Sequence, residues 1–356
     1  MKKSVILLFA FVFFISCSTT NSATQQKIDK ANEKAVQFLA DQQIPGMAIS
    51  VSQNGKMIWS KGFGYADVAS KKKVNPSTTQ FRVASISKTL TALAMAKLAD
   101  ENKLDFDASL YTYVPNFPKK KFDFTVRQIG GHIAGIRHYN GMEFLMNKKM
   151  NIVEGLDIFK NDALLFEPGT EYKYSTYGWN LLSVVLQNAA KEDYNDYMRK
   201  VIFEPLQMKN TSLDFSDKEM PNRTLFYVKE NGEIKIGATV SNEFKAAGGG
   251  FVATSEDLIL FGNEMINPKT ISKTAIAELV KPHVTSKGKK TNYGIGVGVR
   301  NVKNNTLRYS HSGGGMGATA FIMMYPEKNM VVSILTNLSG VNIRKLVGEL
   351  EAIFIE

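Results

Sequence analysis

The sequence predicts an α+β fold: an antiparallel sheet flanked by N- and C-terminal helices, with a mostly helical region inserted between the halves of the sheet. Three observations support this prediction. Strand-like runs lie near both ends of the chain, several of them are joined by hairpin turn signals, and helical patterns dominate the middle. Hairpins join antiparallel strands, whereas parallel strands need a long crossover connection. With 356 residues, 44% of them hydrophobic, the chain can bury a large core.

The N-terminus has the pattern of a bacterial export signal. Residues 1–16, MKKSVILLFAFVFFIS, combine a basic start with an apolar run that is too short to span a bilayer comfortably. Cys17, the only cysteine, follows, and FISC resembles a lipobox in which Phe14 replaces the usual leucine. We therefore expect a lipoprotein signal peptide at 1–16 and a lipidated Cys17 in the cell envelope. The alternative is an ordinary signal peptide whose cleavage site adjoins a cysteine.

The N-terminal half of the expected sheet follows a short polar segment. Residues 17–26 are small and polar, which predicts a flexible tether, and residues 27–356 are expected to form one domain. Apolar residues recur at helical spacing over 25–42. Residues 48–65 read as two strands around Asn54-Gly55, a type I′ hairpin signal, and a second hairpin is predicted around Asn231-Gly232.

The C-terminal half of the sheet is predicted from four further runs. Strand patterns cover residues 293–299, 307–310, 318–325 and 330–336, and a helix is predicted over 342–354. Between the two sheet halves, about residues 85–213 read as mostly helical. A cleft between the sheet and this insertion is the expected place for a binding site.

Composition excludes several classes of function. The formal net charge is +11, but the lysines are scattered and no nucleic-acid-binding motif is present, so no nucleic-acid partner is expected. Attraction to an anionic membrane surface suits this charge better. The four histidines lack metal-ligand spacing, and we expect neither a metal nor a cofactor.

Ser85 and Lys88 form the first candidate for catalysis. The Ser-x-x-Lys pattern occurs three times, but only Ser85 begins a long apolar helix, and residues i and i+3 share a helix face. Burial would lower the pKa of Lys88 and make its amine available as a base. The helix N-terminus would stabilise a nearby oxyanion. The alternative is that Ser85 caps the helix while Lys88 extends its amine to solvent.

Tyr174 is the second candidate. It lies in YSTYGW, immediately before an apolar helix predicted from about Trp179. A lysine nearby would lower the pKa of the phenol and allow it to shuttle a proton. The alternative is a tyrosine that only packs at the start of this helix.

The third candidate is the segment YSHSGGGMG at residues 309–317, which contains His311. Its glycines would allow the backbone to approach a ligand closely. Residues 313–318 also fit the dinucleotide pattern G-x-G-x-x-A, but that interpretation needs a following helix, whereas ATAFIMMYP is typical of a strand.

Taken together and in order, these segments resemble the serine β-lactamase and penicillin-binding-protein superfamily. The branch is that of class C enzymes and D-alanyl-D-alanine carboxypeptidases, and the YST-aromatic-G and GIRHY segments are most similar to its serine β-lactamase-like peptidase type. The likeness extends over about residues 45–336 and includes FRVASISK, TVRQIGGHIAGI, PGTEYKYSTYGWNLL, AGGGFVATSED and HSGGGMG. It implies a β-lactamase/transpeptidase-like fold.

The resemblance also implies a role for each matching residue. Ser85 resembles the acylated nucleophile, Lys88 its general base, and Tyr174 the residue that protonates the leaving group and activates the deacylating water. His311 stands where β-lactamases have the lysine of Lys-Thr-Gly. The backbone amides of Ser85 and Gly314 are expected to form the oxyanion hole.

The remaining implied contacts concern the substrate. Ser312 and Gly313 lie on the strand expected to line the site, and Thr176 replaces the asparagine that contacts the acyl-side amide in β-lactamases. A histidine at 311 in place of lysine removes a permanent positive charge but keeps a hydrogen-bond donor. Both departures preserve acyl-serine chemistry and argue against efficient β-lactam hydrolysis.

The resulting hypothesis is a lipid-anchored serine hydrolase. It would cleave an amide, ester or peptide bond of a small-molecule or peptide acyl substrate through an acyl-Ser85 intermediate. One alternative is an acyltransferase that passes the acyl group to an alcohol or amine. The other is a non-catalytic penicillin-binding or sensor protein that is acylated once.

Overall fold

A computed structural model describes residues 22–356 of the chain. Its strands are β1 (Gly46–Gln53), β2 (Lys56–Asp67), β3 (Lys72–Lys73), β4 (Phe81–Arg82), β5 (Ser212–Leu213), β6 (Tyr227–Glu230), β7 (Glu233–Ile236), β8 (Phe251–Ala253), β9 (Gly298–Asn301), β10 (Leu307–Gly315), β11 (Ala318–Tyr325) and β12 (Met330–Thr336). Its α-helices are α1 (Ser22–Gln42), α2 (Ile86–Asp100), α3 (Leu110–Tyr113), α4 (Val126–Gly130), α5 (Thr176–Ala190), α6 (Tyr194–Met198), α7 (Ala246–Gly249), α8 (Ser255–Ile266), α9 (Lys273–Leu279) and α10 (Arg344–Phe354).

A seven-stranded antiparallel sheet forms the centre of the fold, with strand order β3-β2-β1-β12-β11-β10-β9. The first and last parts of the chain therefore meet along β1 and β12, where Met47 pairs with Thr336. Successive side chains of a strand point to opposite faces. In β1, Met47 and Ile49 join the core beneath α1 and α10, whereas Ser50 points the other way and bonds Ser255 of α8.

The helical part of the chain packs on the α8 face of the sheet. Helix α2 is buried on all sides and contacts α5, α7 and α9, so it forms the centre of the larger core. A small sheet of order β4-β8-β5 joins the start of α2 to the segment that follows α7. This small sheet brings together residues that are far apart in sequence, beside β11 and β12 of the central sheet.

The predicted α+β class, the antiparallel sheet and the flanking helices are confirmed. Both hairpin turns occur where predicted, since Asn54, Gly55, Asn231 and Gly232 all have the positive φ that type I′ turns require. Helix α1 buries the predicted stripe, which includes Ile28 and Phe38.

Several boundaries differ from expectation. Helix α1 begins at Ser22, so residues 22–26, expected in the tether, are helical, and the stripe that starts at Ile28 continues from them. Residues 293–297 form no strand because Gly296 has φ +72°, whereas β10 continues past Ser310 through the glycines. Residues 131–175 contain 3₁₀ turns but no α-helix, and α7–α9 lie beyond residue 213.

The predicted signal peptide and Cys17 lie outside the described residues. Within residues 22–356, no helix has both the length and the apolar character needed to cross a membrane.

Candidate active site

Ser85 is positioned by a strained turn at the start of α2. The preceding residue, Ala84, has φ +45°, a conformation that non-glycine residues rarely adopt and that often occurs at functional sites. The Ser85 side chain occupies the N-cap position without making a capping hydrogen bond. The Ser85 hydroxyl is therefore available to other partners, and the alternative that it only caps the helix is excluded.

Lys88 is fully buried and its amine faces Ser85. The Nζ atom lies 3.1 Å from Ser85 Oγ and 3.2 Å from Thr176 Oγ1, and it also donates to the Gly248 carbonyl. Burial lowers the pKa of Lys88 well below its usual value, and no carboxylate among the described residues pairs with it. An uncharged amine can donate to Thr176 and Gly248 and still direct its lone pair at Ser85. Lys88 therefore does not extend its amine to solvent, since none of the residue is exposed.

Gly248 can reach Lys88 only because it has no side chain. A Cβ at this position would lie 2.6 Å from Thr176 Cγ2 and 2.9 Å from Asn180 Oδ1. Such a group would push α7 away from α5 and remove a carbonyl from the lysine. The close packing of these two helices therefore places the third partner of the Lys88 amine.

Tyr174 lies beside this pair, at the end of the loop that precedes α5. Lys88 Nζ is 5.0 Å from the centre of the Tyr174 ring. The expectation that a lysine lowers the pKa of this phenol is wrong: burial raises the pKa, and hydrogen bonding with Ser85 and Thr176 offsets this only in part. An uncharged lysine provides no electrostatic stabilisation for a phenolate, so Tyr174 is a neutral proton donor.

Two histidines hold the Tyr174 segment in place. The backbone N–H of Ser175 donates to His132 Nδ1, and that of Thr176 donates to His138 Nδ1, each at 3.1 Å. Both rings pack around Tyr174, with centroid distances of 4.3 Å for His132 and 5.6 Å for His138. Burial lowers the pKa of both, that of His138 to about 4, so both stay neutral acceptors at neutral pH.

His311 is buried on β10 and uses both of its ring nitrogens. Nδ1 lies 2.7 Å from the Ser312 carbonyl, which can only accept, so Nδ1 carries the proton. Nε2 then accepts from the Tyr293 hydroxyl at 2.8 Å. Burial lowers the pKa of His311 to about 3. His311 therefore supports the wall beside Tyr174, 6.4 Å away between ring centres, and has no donor left for a substrate.

A small pocket of about 60 Å³ opens onto Ser85. Of the residues predicted to contact substrate or form the oxyanion hole, Ser85, Thr176 and Gly314 line it, whereas Ser312 and Gly313 do not. Gly313 packs against the chain just before the nucleophile, since a Cβ there would lie 2.2 Å from the Val83 carbonyl oxygen. Gly314 has open space in front of it. Its position across the pocket from the start of α2 suits an oxyanion site, which needs pre-positioned donors.

Sequence reasoning missed several residues of this site, namely His132, His138, Tyr293, Gly248 and Lys245. The first two lie within the motifs GGHIAGI and GIRHY, which carried the resemblance but showed no catalytic spacing. No group of three or more histidine, cysteine, aspartate or glutamate side chains within residues 22–356 is arranged to hold a metal ion.

A family model described as Beta-lactamase matches residues 31–348, nearly the whole described chain. The chain belongs to the beta-lactamase family. The human mitochondrial serine beta-lactamase-like protein LACTB is 29% identical over 84% of this chain and 74% of its own length. Members of this family include serine hydrolases. The predicted resemblance to the serine β-lactamase and penicillin-binding-protein superfamily is therefore confirmed.

Solved structures confirm the β-lactamase/transpeptidase fold. An octameric penicillin-binding protein homologue from Pyrococcus abyssi superposes with a TM-score of 0.80 at 23% identity, covering 92% of this chain and 77% of that one. EstCE1, described as a hydrolase with promiscuous acyltransferase activity, also has a TM-score of 0.80 at 21% identity, covering 94% of this chain and 100% of that one. At these identities the likeness concerns the fold alone.

Proposed function

We propose that this beta-lactamase-family protein is an exported, lipid-anchored serine hydrolase that cleaves an amide, ester or peptide bond through an acyl-Ser85 intermediate. The observation that carries the proposal is the contact of 3.1 Å between Ser85 Oγ and the amine of a fully buried Lys88, which has no ion-pair partner within residues 22–356. Burial favours the uncharged amine, and an uncharged amine is a base at neutral pH.

Acylation then follows from the positions of the two neutral groups. Lys88 Nζ accepts the Ser85 proton while Oγ bonds to the substrate carbonyl carbon, and the amides of Ser85 and Gly314 stabilise the oxyanion. As the tetrahedral intermediate collapses, the bond to the leaving group breaks. Lys88 returns its proton through the Tyr174 hydroxyl to the leaving group, so both groups end neutral. In deacylation, a water molecule bonds to the acyl carbon and loses a proton through Tyr174 to Lys88. The bond between the acyl carbon and Ser85 Oγ then breaks, the acid is released, and Ser85 regains the proton from Lys88.

The test is covalent labelling of Ser85. A fluorescent fluorophosphonate should label the wild-type protein, and Ser85→Ala should abolish labelling. Ser286→Ala is the matched control, because this exposed loop residue belongs to another Ser-x-x-Lys sequence, and it should label like wild type. Equal labelling of the wild type and Ser85→Ala would refute the proposal.

The fate of the acyl group distinguishes a hydrolase from the alternatives. With a chromogenic ester, the acid should be released repeatedly, and Tyr174→Phe should slow deacylation and cause the acyl-enzyme to accumulate. A single burst in the wild type would instead favour a non-catalytic sensor. If an added alcohol is converted to a new ester at the expense of the free acid, that result would favour an acyltransferase.

The membrane anchor is tested separately. Support for it comes from the basic, apolar start of the chain and the FISC segment. In bacteria fed a clickable palmitate analogue, the wild-type protein should be labelled and fractionate with membranes. Cys17→Ser should lose the lipid label, and a soluble wild-type protein without lipid would overturn this part of the proposal.

A further inference from the structure

The pocket is lined by a buried lysine that the acyl-transfer steps do not use. Lys245 is only 5% exposed, yet it lines the pocket together with Ser85. Its amine donates to the Phe144 carbonyl at 2.8 Å. Among residues 22–356 no carboxylate forms an ion pair with it. A buried ammonium group is costly without a partner, so this side chain is poised for an anion that the described chain does not provide.

The charged side chains around Lys245 bond to other partners. Arg82, which also lines the pocket, binds Asp214 at 2.6 Å, and Arg223 binds the same carboxylate at 2.7 Å. Glu243 accepts from Ser216 and faces a different groove.

Lys245 nevertheless remains a cation under physiological conditions. Burial and the nearby Arg82 charge lower the pKa of Lys245 to about 8, although Asp214 and Glu243 oppose the shift. At neutral pH most of the amine is therefore protonated, in contrast to Lys88, whose burial is deeper and whose partners are all uncharged.

The pocket brings this cation and the nucleophile to the same ligand. Lys245 shares a wall with Tyr139, Phe144 and Asn242, and no described carboxylate lines any part of the pocket. A cavity of about 60 Å³ has room for only a short chain. Because Ser85 and Lys245 line the same pocket, a substrate whose carbonyl reaches Ser85 has room for a further group on the side of Lys245.

We propose that Lys245 forms an anion subsite that pairs with a carboxylate on the acyl part of the substrate. This inference rests on the proposed acyl-Ser85 function and adds a substrate class to it: short acyl groups that carry a negative charge. The Lys245 ammonium donates to this carboxylate. Charge-assisted hydrogen bonds of this kind are among the strongest in proteins.

The experiment compares charged and neutral esters of the same length. The substrates are mono-p-nitrophenyl esters of succinate, glutarate and adipate, each beside its counterpart with the free carboxylate methylated. The wild-type protein should show a kcat/KM at least about tenfold higher for one or more of the anionic esters. Lys245→Met should lower the kcat/KM for the anionic esters more than that for their neutral counterparts and so abolish this preference.

Three further variants distinguish a role of the Lys245 charge from a structural role. Lys245→Arg retains the charge and should keep part of the preference, and Lys245→Gln retains a donor for Phe144 while losing the charge, so it should behave like Lys245→Met. Lys273→Met removes one positive charge from an exposed position outside the pocket and should leave the preference unchanged. Fluorophosphonate labelling confirms that each variant is folded.

The outcomes separate this inference from the function beneath it. If the wild type is labelled at Ser85 and hydrolyses neutral esters without preferring anionic ones, the subsite is refuted and the hydrolase stands. A loss of activity in Lys245→Met that is equal for charged and neutral esters also refutes it, because a structural role predicts that result. If Ser85 is not labelled at all, the acyl-serine function itself fails.

Discussion

Replacing Lys88 with methionine tests the central chemical step. Methionine fills nearly the same buried volume but cannot accept the Ser85 proton. A positioned general base contributes about 10²–10⁴-fold to a rate, which corresponds to about 3–5 kcal/mol of activation free energy. We therefore expect Lys88→Met to slow acylation by about that factor.

The same substitution should change stability far less than activity. The Gly248 carbonyl loses its donor, which costs about 1–3 kcal/mol for a buried group. The loss is offset in part because a fully buried amine without a counter-ion is also removed. A thermal melt should therefore still show a cooperative transition, so that lost activity can be assigned to chemistry.

The assay is the rate constant for fluorophosphonate labelling, measured with Lys88→Arg as the companion variant. Arginine carries a positive charge and does not lose its proton in a protein, so it cannot act as a base. If Lys88 acts as a base, both variants are slow, whereas if its charge is what matters, arginine restores the rate. Labelling of Lys88→Met within about tenfold of wild type would refute the assignment of Lys88 as the base.

Three further predictions follow from the same geometry. Acylation should slow as the pH is lowered, because protonation removes the Lys88 base; a rate that climbs until pH 10.5 would contradict its lowered pKa. Burial lowers the pKa of His311 from its usual value of 6.5 to about 3, so between these pH values the unfolded chain binds a proton that the folded chain does not. The melting temperature should therefore fall as the pH is lowered from 7 to 4, and a flat profile would argue against this. Gly313→Ala should lower the melting temperature, since its Cβ would meet the Val83 carbonyl, whereas Gly314→Ala should melt like wild type; equal melting points would contradict this packing.

Much of the fold could be predicted because its signals are local. The Asn54-Gly55 turn, the largely apolar runs of β11 and β12 and the stripe of α1 each depend on residues that are close in sequence. The same holds for Ser85 and Lys88, which share a face of one helix and meet regardless of the rest of the chain. Strand order was less accessible, since β1 pairs with β12 across almost the entire domain.

The sequence by itself thus determined the α+β class, the family resemblance and the placement of a serine and a lysine one turn apart on an apolar helix. Only the tertiary structure decided which groups surround the Lys88 amine, that burial raises the pKa of Tyr174 and that Lys245 lies in the pocket. The reason is physical. A protonation state depends on desolvation and on charges brought together from distant segments, and a pocket exists only where such segments meet.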